Sequence, residues 1–326
     1  MSYKTINIVG SGYSGSSAIY EFLRKTKLFY DPFQDSQLSI TYDPGGLIDL
    51  ENIIKDQFTV NKTRLAYTNF KRLIDYYCIK SKGLKSGKNL IEYNNDLRNI
   101  LENYINNIIN IKFKGETSFI NFQKNKLETL KFKIISRYYN FINKRRNNLD
   151  ELYIFCDIQK FKSETDNLIF KLVEKKNFLK KDVILDQAGT IFNPVSSLKF
   201  FRNPLSICIL RDPRDVFSEI KNITNKFPAY DVKVFVSWYQ KIMEKINIEE
   251  KVDKKVLFIN FEDFILNKED TTNKIFGFIG KEKPLVKNVQ FDFLKSEKNI
   301  SIHKKFLKKE EANYIENNLK EYLYNF

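Results

Sequence analysis

Two short stretches hold the residue types that anion chemistry needs. The first is Gly10-Ser11-Gly12-Tyr13-Ser14-Gly15-Ser16-Ser17, three glycines and four serines in eight residues. Small residues let backbone N–H groups converge on an oxyanion, and the hydroxyls of Ser14, Ser16 and Ser17 add donors. The glycine spacing matches half of a nucleotide phosphate loop. Ser16 and Ser17 stand where Lys and Ser/Thr are expected, so an ATP-type reading loses its key cation. A tight strand-to-helix turn is the other use of such a loop. The second stretch is Arg211-Asp212-Pro213-Arg214-Asp215-Val216-Phe217-Ser218. Its first arginine can reach a phosphate with a planar fork of donors, and Ser218 can face the same site. Read structurally, Asp212 and Arg214 are a cap and a surface pair.

Both stretches need a rigid frame, and the flanking sequence predicts one. Residues 5–9 read as a buried strand, followed by a helix whose Ile19, Phe22 and Leu23 share one face. Residues 206–210 form a second apolar strand, after which Asp212 suits the N-cap and Pro213 the first helical position. Further strands are expected at 38–42, 183–185 and 256–261, and a helix at 310–323. Strands alternating with helices imply an α/β class with a central parallel sheet flanked by helices. The chain reads as one domain over 1–326, with 100–181 a helical, basic insertion or cap.

Composition narrows the chemistry. The 326 residues carry 55 Lys plus Arg against 40 Asp plus Glu, a net charge of +15 that attracts polyanions. Residues 112–181 hold 17 of those cations against 8 carboxylates. Within them Leu127, Leu130, Ile134, Tyr138, Phe141 and Ile142 recur at helical spacing between cations from Lys124 to Arg146. That is a basic amphipathic helix, suited either to an anionic acceptor or membrane face or to solvent. Cys78, Cys156 and Cys208 lie far apart, which excludes a disulfide framework and a cysteine-built metal site and fits a reducing cytoplasm. The one histidine, His303, excludes a His-rich metal centre and sits beside two lysines, where it reads as a surface residue. No run of about 18 apolar residues is present, so the chain is expected to be soluble, and cytoplasmic or at the inner face of a membrane.

At this point the sequence resembles the sulfotransferases that use 3′-phosphoadenosine 5′-phosphosulfate (PAPS). Residues 10–17 look like their 5′-phosphosulfate loop, and 211–218 like their 3′-phosphate motif, written RDPRDxxxS. Residues 256–263 are similar to the family's strand-then-Glu-Asp segment, and Ser296-Glu297-Lys298-Asn299 to its C-terminal cofactor loop. The resemblance implies a P-loop-like sulfotransferase fold, PAPS as donor, adenosine 3′,5′-bisphosphate as product and no metal. It implies donor contacts at Ser11, Gly12, Tyr13, Ser14, Gly15, Ser16, Ser17, Arg211, Ser218 and Lys298. Two departures stand out. Tyr13 occupies the family's usual loop cation, and Ser218 lies seven residues after Arg211 where the family's serine lies eight, about 100° of helical rotation away.

Family members commonly keep a histidine base in a strand shortly before the 3′-phosphate motif, and some glycan-modifying members use a glutamate after the first helix. The corresponding places here hold Asp186-Gln187 and Tyr42-Asp43-Pro44-Gly45-Gly46. Asp186 is the first candidate base and Asp43 the second. The expected acceptor is a hydroxyl compound, a saccharide first, of anionic or neutral character. A nucleotide-dependent kinase and a basic nucleic-acid-binding protein are the competing classes. The absent loop lysine counts against the first and the absence of any recognised nucleic-acid motif against the second.

Overall fold

A computed structural model describes residues 3–34, 36–79, 91, 94–115, 126–141, 150–224, 231–250 and 253–325. The chain divides into two compact units, Met1–Tyr42 with Lys80–Asn94 and Ile169–Phe326, and Asp43–Ile79 with Asn95–Leu168. Its strands are β1 (Thr5–Gly10), β2 (Ile111–Gly115), β3 (Asp150–Ile154), β4 (Val183–Asp186), β5 (Pro204–Leu210) and β6 (Val256–Asn260).

In the first unit β1, β4, β5 and β6 form a parallel sheet in the order β4-β1-β5-β6. Each strand is a short β-branched or leucine-rich run that must be covered on both faces. Side chains alternate between those faces. Ile207, Ile209 and Ile259 pack with Ile19, Phe22 and Leu23 of the first helix, α1 (Ser16–Lys25), and with Phe261, Phe264 and Phe276. Val9 and Cys208 face the other way, onto Phe217, Phe235, Val236 and Tyr239. The result is a central parallel sheet flanked by helices, as the alternation of strands and helices implies.

Register then places the chemistry. Ile8 pairs with Asp186, Gly10 with Ile209, and Leu210 with Asn260. The strands therefore end nearly level, and the glycine-serine loop, Asp186 and Arg211 all emerge at one carboxyl edge. In open α/β sheets this edge is where ligands bind.

The second unit is mostly helical, with Leu47–Lys55, Val60–Tyr77 and Leu97–Asn107 around buried Phe70, Tyr104 and Phe161. Phe70 and Tyr104 rings lie 5.4 Å apart, and the Tyr104 hydroxyl meets Thr165 Oγ1 at 3.1 Å. The region expected to be a helical insertion also contains β2 and β3, paired antiparallel. The basic helix runs Lys126–Phe141, and Leu127, Leu130 and Ile134 on it are exposed. Its expected continuation through Lys144, Arg145 and Arg146, like its start at Lys124, lies outside the described residues.

Two elements differ from expectation. Residues 38–42 form no strand, and 40–42 make a turn. Leu38 and Ile40 are buried as an alternating pattern requires. The edge of β4, however, is met by a single bridge from Tyr30 to Val183, and the Thr41 hydroxyl donates to the Ala188 carbonyl at 2.7 Å. At the end of the chain the expected helix 310–323 stops after Lys309–Asn318 and continues only as a 3₁₀ turn, Lys320–Tyr322. Among the described residues, no helix is long and apolar enough to cross a membrane.

Candidate active site

The loop after β1 is built around two close approaches. A Cβ on Gly10 would lie 1.8 Å from Ser14 Oγ, and one on Gly15 only 2.4 Å from the Phe261 ring. Gly15 also adopts φ +83° as the residue that starts α1, a conformation costly for any residue with a Cβ. Gly12 has nothing within 4 Å of where its Cβ would be, so its backbone lies open. The Ser14 hydroxyl is buried and has no partner. Open backbone, an orphaned donor and the positive end of a ten-residue helix together make an anion cradle.

Tyr13 takes φ +66° and its ring packs, half-buried, against the cluster of Val9 and Phe217. Its carbonyl accepts from Arg211 Nη1 at 2.8 Å. Ser11 stabilises the turn by accepting the Ser14 N–H at 3.0 Å, and Ser17 opens into a cavity of about 520 Å³. Ser16 is held differently: Gln187 Nε2 donates to its hydroxyl at 3.0 Å. Gln187 itself sits at φ +49°, a left-handed position that favours glycine. Its amide thereby braces the start of α1 from the end of β4, a role that its place beside Asp186 did not reveal.

Asp186 lines the same cavity as Ser17, with Tyr20, Lys25, Lys295 and Ser296. Burial pushes its carboxyl up to about 6; a hydrogen bond from Gln37 works against that and the nearby Asp31 charge adds to it. Oδ2 accepts from Gln37 Nε2 at 3.3 Å, whereas the buried Oδ1 has no partner. A carboxylate with one oxygen unsatisfied and an affinity for protons near neutrality has the properties of a general base. Asp43 belongs to the second unit, where it accepts from the Tyr77 hydroxyl at 2.5 Å. It does not end a strand.

The RDPRD segment is mostly architecture. Asp212 caps the helix Pro213–Glu219 by accepting the Arg214 N–H at 2.8 Å, and also takes Arg214 Nη2 at 2.6 Å and the Tyr324 N–H at 3.1 Å. Glu262 is fully buried, accepts the Asp212 N–H at 2.9 Å and leaves Oε2 unpartnered. Burial pushes its carboxyl up to about 7. Arg211 is buried too, with Nη1 on the Tyr13 carbonyl and on the Glu219 carboxylate and Nη2 on the Asn299 carbonyl at 2.7 Å. Its Nε has no partner, nor has the hydroxyl of Ser218, which is fully buried. Lys298, one residue before Asn299, is exposed.

His303 is not on the surface. It is 5% exposed, and its Nδ1 donates to Asp215 at 2.5 Å. Asp215 is wholly buried and also accepts the N–H groups of Ser301 at 2.7 Å and His303 at 3.1 Å. The two lysines that follow suggest solvent, but a carboxylate 88 residues away decides the burial. This pair fastens the 296–303 segment to the helix that follows Arg211. His303→Ala should cost about 1–3 kcal/mol, because Asp215 keeps its backbone donors but loses a charge-strengthened one. Thermal unfolding followed by circular dichroism checks this, and an unchanged Tm would mean that the imidazole adds nothing.

Residues 97–284, more than half of the chain, match the family model described as the sulfotransferase family. That span includes Asp186 and Arg211, but not the loop at 10–17. Among solved structures, the chain is similar to the sulfotransferase domain of the Synechococcus PCC 7002 olefin synthase (11% identity, 87% of this chain and 76% of that one, TM-score 0.39). It is also similar to the sulfotransferase domain of the curacin biosynthetic pathway (10%, 98% and 97%, 0.42) and to STF9 from Mycobacterium avium (10%, 97% and 68%, 0.37). A search of curated proteins finds no match. On the strength of the family match across strands, base candidate and arginine motif, the chain belongs to the sulfotransferase family.

Proposed function

We propose that the chain moves a sulfuryl group from a nucleoside 5′-phosphosulfate, PAPS by resemblance, to a hydroxyl of a saccharide acceptor, with Asp186 as base. The observation that carries this reading is the convergence at one sheet edge of buried, unpartnered polar atoms: Ser14 Oγ, Arg211 Nε and Asp186 Oδ1. Isolated orphans of this kind are costly and are expected where a ligand supplies the missing partner. The donor, when bound, supplies an electrophilic sulfuryl group and a phosphate leaving group.

The chain's own residues supply the rest. Backbone N–H groups of 11–17 and the start of α1 hold negative charge where it builds up at the 5′ phosphate. Asp186 Oδ1 takes the proton of the acceptor hydroxyl, whose oxygen then attacks in line. The 520 Å³ cavity is lined by Glu21, Lys25, Lys295 and Asn299 beside Ala18, Tyr20 and Phe291, a mixture that suits the hydroxyls and the C–H faces of a sugar. Lys25 also lines a second cavity of about 540 Å³ with Arg24, Lys27 and Gln34, which favours an acceptor longer than one sugar.

The test is sulfate transfer from ³⁵S-labelled PAPS to a panel of neutral and anionic oligosaccharides, lipids and small alcohols. Label in the oligosaccharides is the expected result. Label only in lipids or alcohols would replace the acceptor class, and no label with any of them would remove the transferase reading.

A further inference from the structure

Glu219 is the last residue of the helix Pro213–Glu219, and its carboxylate lies directly on the Arg211 guanidinium. It stands eight residues after Arg211, the place where the resembled motif has serine. The Arg211 side chain is 2% exposed and that of Glu219 25%. A buried guanidinium reads a phosphate by presenting two parallel N–H groups and a full positive charge. Here Nη1 is shared between Glu219 and the Tyr13 carbonyl, Nη2 is on the Asn299 carbonyl, and only Nε remains without a partner. The pair is neutral as a unit. A phosphate monoester brought to it meets a carboxylate already on the arginine, and two anions in a poorly hydrated site repel strongly.

A hydroxyl behaves in the opposite way. Carboxylates at nucleotide sites accept hydrogen bonds from ribose hydroxyls, whereas an arginine in the same place accommodates a phosphate. The Arg211–Glu219 unit carries both groups, with the carboxylate as its more exposed face. We propose that Glu219 is a specificity-determining residue that holds the subsite for the ribose 3′ position at net zero charge, so that the chain selects only weakly for a 3′-phosphate on its nucleotide. This rests on the reading of 10–17 and Arg211 as the nucleotide site.

The experiment measures Kd by isothermal titration calorimetry for adenosine 5′-monophosphate and adenosine 3′,5′-bisphosphate, on the wild-type chain and on Glu219→Gln and Glu219→Ser. The wild type should prefer the bisphosphate by less than about tenfold. Both variants should raise that preference at least about tenfold, through tighter bisphosphate binding. The monophosphate, whose 3′ hydroxyl loses a carboxylate acceptor, should bind no more tightly to either variant than to the wild type, and thermal melting followed by circular dichroism checks that each variant is folded. A preference that is the same in all three proteins overturns the proposal, as does a wild-type preference above about a hundredfold, which would mean that Glu219 swings away at no cost. Failure of the wild type to bind either nucleotide at millimolar concentration overturns the underlying nucleotide-site reading instead, and so separates the two.

Discussion

Asp186→Asn lowers kcat by about 10²-fold or more at neutral pH while the Kd for adenosine nucleotides stays nearly constant. The amide preserves the shape of the side chain and its contact with Gln37 but cannot accept a proton. Asp186 ends β4 one strand over from the glycine-serine loop; it lines the cavity that Ser17 also lines, and its buried Oδ1 has no partner. Its carboxyl is raised to about 6, so the proposed base loses its proton as pH rises through that value. The kcat/KM profile should therefore climb with a midpoint near 6 and level off above it. In the variant this acidic limb should vanish. Stopped-rate assays across pH 5–9 decide the matter, and a limb that survives in the variant assigns it to another group. Asp43→Asn is the necessary companion: a comparable loss there, with Asp186→Asn near normal, would move the assignment to Asp43.

The same shift makes a thermodynamic statement whose sign can be checked. A carboxyl whose folded pKa is raised binds its proton more tightly in the folded state, so its ionisation costs stability as pH rises from about 4 through 6. Below that window both states are protonated and the cost vanishes. Asp186→Asn removes it, so the variant's Tm should equal or exceed that of the wild type at pH 7.5, with the gain shrinking toward pH 4. Such a stability gain beside a loss of kcat is what the proposed role predicts, function kept at the expense of stability.

How much of this was legible in the sequence depends on how local the cause was. The strands at 5–9 and 206–210 could be read because near-continuous apolar runs are what a parallel sheet covered on both faces requires. The Asp212 cap and Pro213 could be read because capping is decided within three residues. Residues 38–42 have the same alternating apolar pattern as a strand, but strand pairing needs a free edge, and Tyr30 and Thr41 settle what that segment bonds to. His303 was misread because its burial comes from Asp215, far away in the chain. Glu219 gave a faint signal, a spacing one residue out of step with the resembled motif; its contact with Arg211 follows from the helical turn that carries it back to the strand end. Gln187 gave none, since only the register of β4 against β1 brings its amide to Ser16.

Gly15→Ala should abolish nucleotide binding and lower stability by about 3 kcal/mol or more, on the order of 4 °C or more in Tm for a chain of this size. Two costs add. The first is conformational: φ +83° at this residue is left-handed, and a Cβ there costs about 1–2 kcal/mol. The second is steric, because the new methyl would lie 2.4 Å from the Phe261 ring, which is itself packed with Phe264 and Ile259 on the sheet and cannot give way cheaply. Relief requires the start of α1 to move, and with it the Ser16 hydroxyl that Gln187 holds and the Tyr13 carbonyl that Arg211 holds. The glycine-serine loop and the arginine motif are thus damaged together. Gly12→Ala is the control, since its Cβ would meet nothing within 4 Å, and it should leave Tm within about 1 °C. Calorimetric melting of both variants, with nucleotide titration of each, separates the possibilities: a Gly15→Ala chain with normal Tm and normal affinity would show that the loop adapts, and would remove the strained turn from the account of how this site is built.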